Sequence, residues 1–269
     1  ILTRAEKADL RFRQVLWDGR TVRNWASELE GAIVVNLAGE LVDRRPTASN
    51  IDLLRRSRVE PTEALAAASK SCEVPPPLWL QMSTLAIYGD AGDDVIEEGH
   101  PPADGPPQMA GVATAWEAAS MGAVADRVVR LRTGVVFDND TPAFNRLTRL
   151  TRWGLGGRIG SGDQWVSWIH IDDLLAAIRL LVDHPVLDGT VHVTSPNPVR
   201  NGDMMASLRH GLHRPWTPPT PAPLVHIGVP RVLNDAGFEF EHGEFAAALD
   251  HLLAGDKSVD LSLRRQGRH

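Results

Sequence analysis

The chain has 269 residues, a mass of 29.4 kDa, 43 % hydrophobic and 23 % charged residues, and a formal net charge of −6 at pH 7. That length buries a substantial core, as one large domain or one domain with a small appendage. The negative balance gives nucleic acid and anionic membranes no reason to attract the molecule, and no run of about 18 apolar residues offers a membrane span.

Short apolar strands alternate with helical patterns. Strands are predicted at Ile1–Thr3, Gln14–Trp17, Ala32–Leu37, Leu78–Ser83, Val128–Arg132, Trp165–His170 and Thr190–Val193. Helices are predicted near Asn50–Lys70, Ala113–Val124, Phe144–Trp153, Asp172–Leu181 and Met204–Gly211. Continuously apolar stretches such as Ile33-Val34-Val35 predict burial on both faces, as in a parallel sheet. Alternation of this kind gives a doubly wound α/β fold. Cys72 is the only cysteine, which excludes an intrachain disulfide and fits a reducing cytoplasm. The first twenty residues carry Lys7, Asp9, Arg11 and Arg13 and do not look like a signal peptide.

After Val199 the character shifts. Pro215, Pro218, Pro219, Pro221 and Pro223 crowd one stretch and break any helix. Beyond them, Pro230–Phe240 and Phe245–Leu253 read as a helix, a short extended piece and a last helix. The expected division is a dinucleotide-binding domain over 1–199 and a C-terminal module over 200–269, with Arg264 to His269 a solvated basic tail.

The most informative stretch is Gly154 to Leu174. A glycine-rich turn runs into an aromatic, β-branched strand, Trp165 to Ile171, which ends in His170, Asp172 and Asp173 as a helix begins. Acids are favoured there by the helix's N-terminal partial charge. Gly154, Gly157 and Gly160 have the spacing of a phosphate cradle, but a cradle needs a strand before it and a helix after it. Here the order is inverted, so a loop rimming the active site is expected instead.

This stretch resembles the epimerase-like branch of the atypical short-chain dehydrogenase/reductases, of the NAD-dependent epimerase/dehydratase type. So do, in order, Val35-Asn-Leu-Ala-Gly-Glu40, Arg56-Ser-Arg-Val59, Ser83 through Tyr88-Gly-Asp90, Trp116-Glu117, Arg132-Thr-Gly-Val135 and Ser195 to Asn201. The resemblance implies a Rossmann-like doubly wound parallel sheet with a small C-terminal α/β module. Ile1 to Arg4 resembles the second strand of that fold, and the first strand, its glycine turn and first helix are not in the sequence. The expectation is that the numbering omits them, because a sheet without its central strand would expose a large apolar surface.

The resemblance also places a site. Arg4, directly after the strand, is where nicotinamide-binding folds put an acid for NAD or an arginine for the 2′-phosphate of NADP, so NADP is expected. Asp18, Asn36, Leu37, Ala38 and Gly39 fall at cofactor positions. Small Ala38 and Gly39 allow close backbone approach, though a plain strand-end turn explains them equally. Ser83 and Thr84 stand at the carboxyl end of a strand, where such folds place ligands, and either hydroxyl can orient a substrate oxygen. Tyr88, Arg132, Gln164, Trp165, Trp168 and His170 are expected on the substrate side. Arg132 and Arg200 either hold an anionic substrate or tie elements together.

One departure from the family is decisive. Its Tyr-x-x-x-Lys acid/base pair is missing: Gly92 stands four residues after Tyr88, the single tyrosine, and Met109 and Ala113 occupy the positions of the pair. With no cation in sequence near it, Tyr88 is not expected to be the proton donor, and the acid/base is unassigned. His210 and His213 share a helix face without a third ligand, so no metal site is expected. The expected function is NADP-dependent oxidoreductase or epimerase-like chemistry on a small polar, sugar-nucleotide-like substrate. The alternative is a catalytically silent NADP-binding sensor. No nucleic-acid or membrane partner is expected, and a homodimer through the helices near 50–70 and 113–124 is the possible assembly.

Overall fold

The structure is a computed structural model that describes residues 1–8, 11–42, 45–219 and 231–254. In chain order the elements are β1 (Leu2–Thr3), β2 (Val15–Leu16), a 3-10 turn at Asn24–Leu29, β3 (Val34–Asn36), α1 (Ala48–Ser69), β4 (Trp79–Thr84) and a 3-10 turn at Leu85–Tyr88. A π-helical turn at Pro107–Gly111 then runs into α2 (Val112–Ser120), followed by β5 (Val128–Thr133), β6 (Val135–Phe137), α3 (Pro142–Arg152), β7 (Trp165–Val166), β8 (Trp168–His170) and α4 (Ile171–Asp183). The last elements are β9 (Gly189–Val193), β10 (Val199–Arg200), α5 (Asn201–Gly211) and α6 (Arg231–Asp235), and residues 245–254 are helical. The basic tail and the prolines at 221, 223 and 230 lie outside the described residues.

The chain divides into two compact units. The first comprises 1–89, 101–132 and 184–191, and the second 90–100, 133–183 and 192–269. In the first, β1 pairs with β2 and β3 with β4, both parallel, and a four-stranded sheet runs in the order β3-β4-β5-β9. Helix α1 starts at Thr47, whose hydroxyl accepts from Asn50 N–H at 3.3 Å, and buries Ala64, Leu65, Ala66 and Ala68 against Val34, Trp25 and Trp79. Alanines on that face let the helix come close to the strands; each costs no side-chain entropy in a helix.

A polar net crosses this core. Asn36 Nδ2 donates to Thr62 Oγ1 at 2.8 Å and to Gln81 Oε1 at 2.9 Å, and Trp116 Nε1 donates to Thr62 Oγ1 at 3.1 Å. These bonds tie β3, α1, β4 and α2 together, so a fully buried amide and hydroxyl are satisfied rather than stranded.

The second unit has β6 parallel to β8 and β7 antiparallel to β10. Phe137, Phe144, Trp168 and Phe245 form an aromatic core with Met204, Met205 and Leu208 of α5, and Trp168 meets Phe245 edge-on at 5.1 Å.

Two expectations need correction. The stretch Ile33-Val34-Val35 is not buried on both faces: Ile33 and Val35 are 46 % and 41 % exposed, and only Val34, on the opposite face, is covered, by α1. The strand Trp165–His170 is two strands, broken at Ser167. Its first half pairs antiparallel with β10 and its second parallel with β6.

Candidate functional site

Parallel strands β4 and β5 are neighbours, and the carboxyl end of β4 carries a buried charged network. Arg132 Nε and Nη2 donate to Glu117 Oε1 and Oε2, each at 2.8 Å, a bidentate ion pair between β5 and α2. Ser83 donates to Glu117 Oε1 at 2.6 Å, and Arg132 Nη1 donates to Tyr88 Oη at 2.5 Å. All four residues are buried, Ser83 and Tyr88 at 2 % and 4 % exposed. Burial works against the Arg132 charge, but the Glu117 and Tyr88 contacts outweigh it and raise its pKa above the ordinary arginine value. The phenol of Tyr88 therefore does have a cation, contrary to the reading of its sequence neighbours. Thr84 differs from Ser83: it is half-buried, and its oxygen accepts from Ala86 N–H at 3.2 Å, capping the turn that follows. Met109 lies in the π-helical turn, and Ala113, in the first turn of α2, is buried.

Arg4 and Asp18 border an open cavity of about 1060 Å³, together with Arg13, Arg23, Trp17 and Trp25. Arg4 is largely exposed and lies 3.4 Å from Glu40, whereas Arg13 is held by both carboxylate oxygens of Glu28. Asp18 caps its own turn: Oδ1 accepts from Arg20 and Thr21 N–H at 2.8 and 2.7 Å, which holds the carboxyl down at about 2. At the end of β3 the side chain of Asn36 is spent on the core net, Leu37 is exposed, and Ala38 N–H donates back to Asn36 Oδ1. The open side of Gly39 is covered by Arg58, whose Cζ lies 3.0 Å from where a Cβ would stand.

In the second unit, Gln164 donates to Ile159 O at 2.8 Å. Trp165 donates to Asp93 Oδ1 at 2.8 Å while Arg200 stacks on its ring at 4.0 Å and pairs with Asp93 at 2.9 Å. These contacts hold the Asp93 carboxyl below its ordinary value, the tryptophan bond first and the arginine second. Trp168 is wholly buried and donates to Asn197 O at 2.9 Å. His170, also buried, faces His242 with ring centroids 3.9 Å apart; burial first, then the facing histidine, lowers its pKa. Gly154 and Gly160 take positive φ, and Gly157 packs so tightly on Pro218 that no Cβ fits. The turn follows α3 and leads to β7, which is not the context of a phosphate cradle.

Residues 3–193 match the NAD dependent epimerase/dehydratase family. The chain belongs to that family. An epimerase family protein of Mycobacterium leprae is 32 % identical over 236 residues, 81 % of this chain and 76 % of the relative. Among solved structures, human epimerase family protein SDR39U1, crystallised with NADPH, superposes with a TM-score of 0.82 at 26 % identity, covering 94 % of this chain and 90 % of that one. A nucleoside-diphosphate sugar epimerase of Corynebacterium glutamicum gives 0.74 at 29 %, covering 94 % and 52 %. The fold is thus the Rossmann-like parallel α/β fold of epimerase-type reductases. Among the described residues no helix is long and apolar enough to cross a membrane.

The polar groups at the strand ends join through contacts that the sequence does not announce. Glu117 was visible only within the Trp116-Glu117 resemblance, and its bond to Ser83 spans 34 residues. His242 and Asp93 had no local signal at all; each is brought to its partners by the fold.

Proposed function

We propose that the protein is an NADP-dependent oxidoreductase of epimerase-like chemistry acting on a polar, sugar-nucleotide-like substrate. The observation that carries the cofactor choice is the cavity bordered by Arg4, Arg13 and Arg23 beside two tryptophans, with Arg4 following β1 directly. Arginine is the residue suited to a planar, multidentate grip on phosphate, and an indole face suits adenine. These residues fit the adenosine 2′-phosphate end of the cofactor, and the NADPH-bound human relative supports the same choice. Bound there, the cofactor supplies a nicotinamide that accepts or returns a hydride.

The side chains at the end of β4 divide the remaining work. Ser83 is committed to Glu117 and buried, so its part is positioning. Thr84, half-buried, is the hydroxyl offered to a substrate oxygen, with its own oxygen fixed by Ala86 N–H. Arg132 grips both Glu117 oxygens and holds the Tyr88 phenol, preserving the shape of the strand end.

The test is hydride exchange from stereospecifically deuterated NADPH into a panel of nucleoside-diphosphate sugars, with wild type and Thr84→Val. Deuterium entering one class of sugar, with incorporation cut about 10²-fold or more in the variant but NADPH binding unchanged, supports the reading. Tight NADPH binding with no exchange into any member of the panel sinks it in favour of a silent cofactor sensor.

A further inference from the structure

The second unit gathers three histidines and an acid that the proposed reaction does not use. His170, at the end of β8, Asp172, in the first turn of α4, His242 and His251 each present a donor atom, and all four atoms lie within 4.8 Å of one another. Two separations are shorter: His170 Nε2 to His251 Nδ1 is 3.3 Å and His242 Nε2 to Asp172 Oδ2 is 3.6 Å, while the other His170 nitrogen, Nδ1, accepts from the Asp172 backbone N–H at 3.2 Å. A zinc ion held at about 2.0–2.1 Å sets tetrahedral donors about 3.3–3.4 Å apart, so two of the separations stand near that value and the set, all within 4.8 Å, closes by small side-chain shifts.

A second, independent observation points to a ligand. His242 is 9 % exposed, and its Nε2 is a buried polar atom without a hydrogen-bond partner. Leaving such an atom buried and unsatisfied is unfavourable unless something occupies its lone pair. The fold also fixes this ring in place. Asp173 Oδ1 and Oδ2 accept from the backbone N–H of Glu241 and His242 at 2.8 and 3.0 Å, binding the 241–242 turn to the start of α4 and setting His242 over His170. The adjacent acids thus divide: Asp173 positions the turn, and Asp172 faces the imidazoles.

We propose that His170, Asp172, His242 and His251 form a zinc site. Three imidazoles and one carboxylate fill a tetrahedral shell, which is the closed arrangement of a structural rather than a catalytic zinc. The ion would clasp the 241–242 turn and the helix over 245–254 to the β8–α4 junction. Imidazole nitrogens are matched to zinc and the other late divalent ions rather than to magnesium or calcium. His170, offered by the sequence as a substrate-side group, is then a ligand. No residue of the proposed cofactor cavity takes part, so the two readings stand or fall separately.

The test uses the full chain stripped with a chelator and then titrated with Zn²⁺ against a chromophoric competitor, alongside thermal melting. One zinc per chain is expected, with a rise in Tm on loading. His251→Gln, at an exposed position that leaves the core intact, and His242→Gln should each weaken zinc binding at least about ten-fold and abolish most of the Tm rise. His210→Gln and His213→Gln should change neither, and NADPH affinity should be the same in all variants. Loading with Co²⁺ should give the intense visible bands of a tetrahedral ion. Zinc uptake that is unaffected by His242→Gln and His251→Gln, or no uptake of a tight equivalent by wild type, would overturn the assignment.

Discussion

Glu117→Ala tests the buried network most directly. The variant takes away both acceptors of the bidentate Arg132 bond and the acceptor of Ser83, leaving a guanidinium whose side chain is 7 % exposed with Tyr88 as its remaining partner in the network. Breaking a buried pair from one side costs about 3–5 kcal/mol, and the surviving Tyr88 bond places this case near the lower end, about 3 kcal/mol. With an m value of at most about 3 kcal/mol/M in urea, the unfolding midpoint should fall by about 1 M or more. Replacing both charges, as in Glu117→Leu with Arg132→Met, removes the desolvation penalty with the attraction and should return stability to within about 1 kcal/mol of wild type. Arg132 binds its proton more tightly folded than unfolded, so its contribution is complete below the ordinary arginine pKa and is lost only above it. The loss in Glu117→Ala should accordingly be the same at pH 7 and pH 9. A single variant losing less than about 1 kcal/mol, or a double variant no better than the single, would refute the account of this pair as a structural tie.

Other perturbations read out separate features. Arg4→Ala should weaken NADPH binding about ten-fold and leave NADH unchanged, since a charge-assisted bond to phosphate is worth about 1.5–3 kcal/mol before solvent screening at so exposed a residue; equal losses for both cofactors would dismiss the 2′-phosphate role. Tyr88→Phe deprives Arg132 Nη1 of its acceptor and should cost about 1–3 kcal/mol of stability while lowering turnover less than about ten-fold. A stable Tyr88→Phe enzyme slowed by 10²–10⁴ would instead make this phenol the missing acid. The Cys72 thiol is pushed up from its ordinary 9.0 by burial and then by Glu30, so alkylation should be slower at pH 8 than for a free thiol and faster in Glu30→Gln; equal rates in the two proteins would remove Glu30 as a cause.

Much of the fold was legible because its signals are local. The apolar runs at 78–83 and 128–132 became β4 and β5 within a residue or so, and the helical pattern near Asn50–Lys70 became α1, which begins two residues earlier at Ala48. What failed was pairing. Val135–Phe137 and Val199–Arg200 are too short to announce themselves, yet they are the partners that split the Trp165–His170 strand into two. Ile33 and Val35 read as core because hydrophobicity carries no information about which face of a strand a helix will cover.

The site was legible as a set of residues and not as a set of contacts, and Tyr88 shows why. A search for an acidifying cation looks four residues along a helix, because that spacing places two side chains on one face. Here the cation arrives by another geometry. Strands β4 and β5 are neighbours in the sheet, so the turn after β4 and the end of β5 meet although 44 residues separate Tyr88 from Arg132. Glu117 closes the group from α2, at a distance in sequence that no motif records. The same logic governs the histidines. His170 and Asp172 are neighbours by sequence, but His242 reaches them only because Asp173 grips the backbone of its turn. A motif reports the residues that one element can bring together; a network assembled by several elements has to be read from the fold.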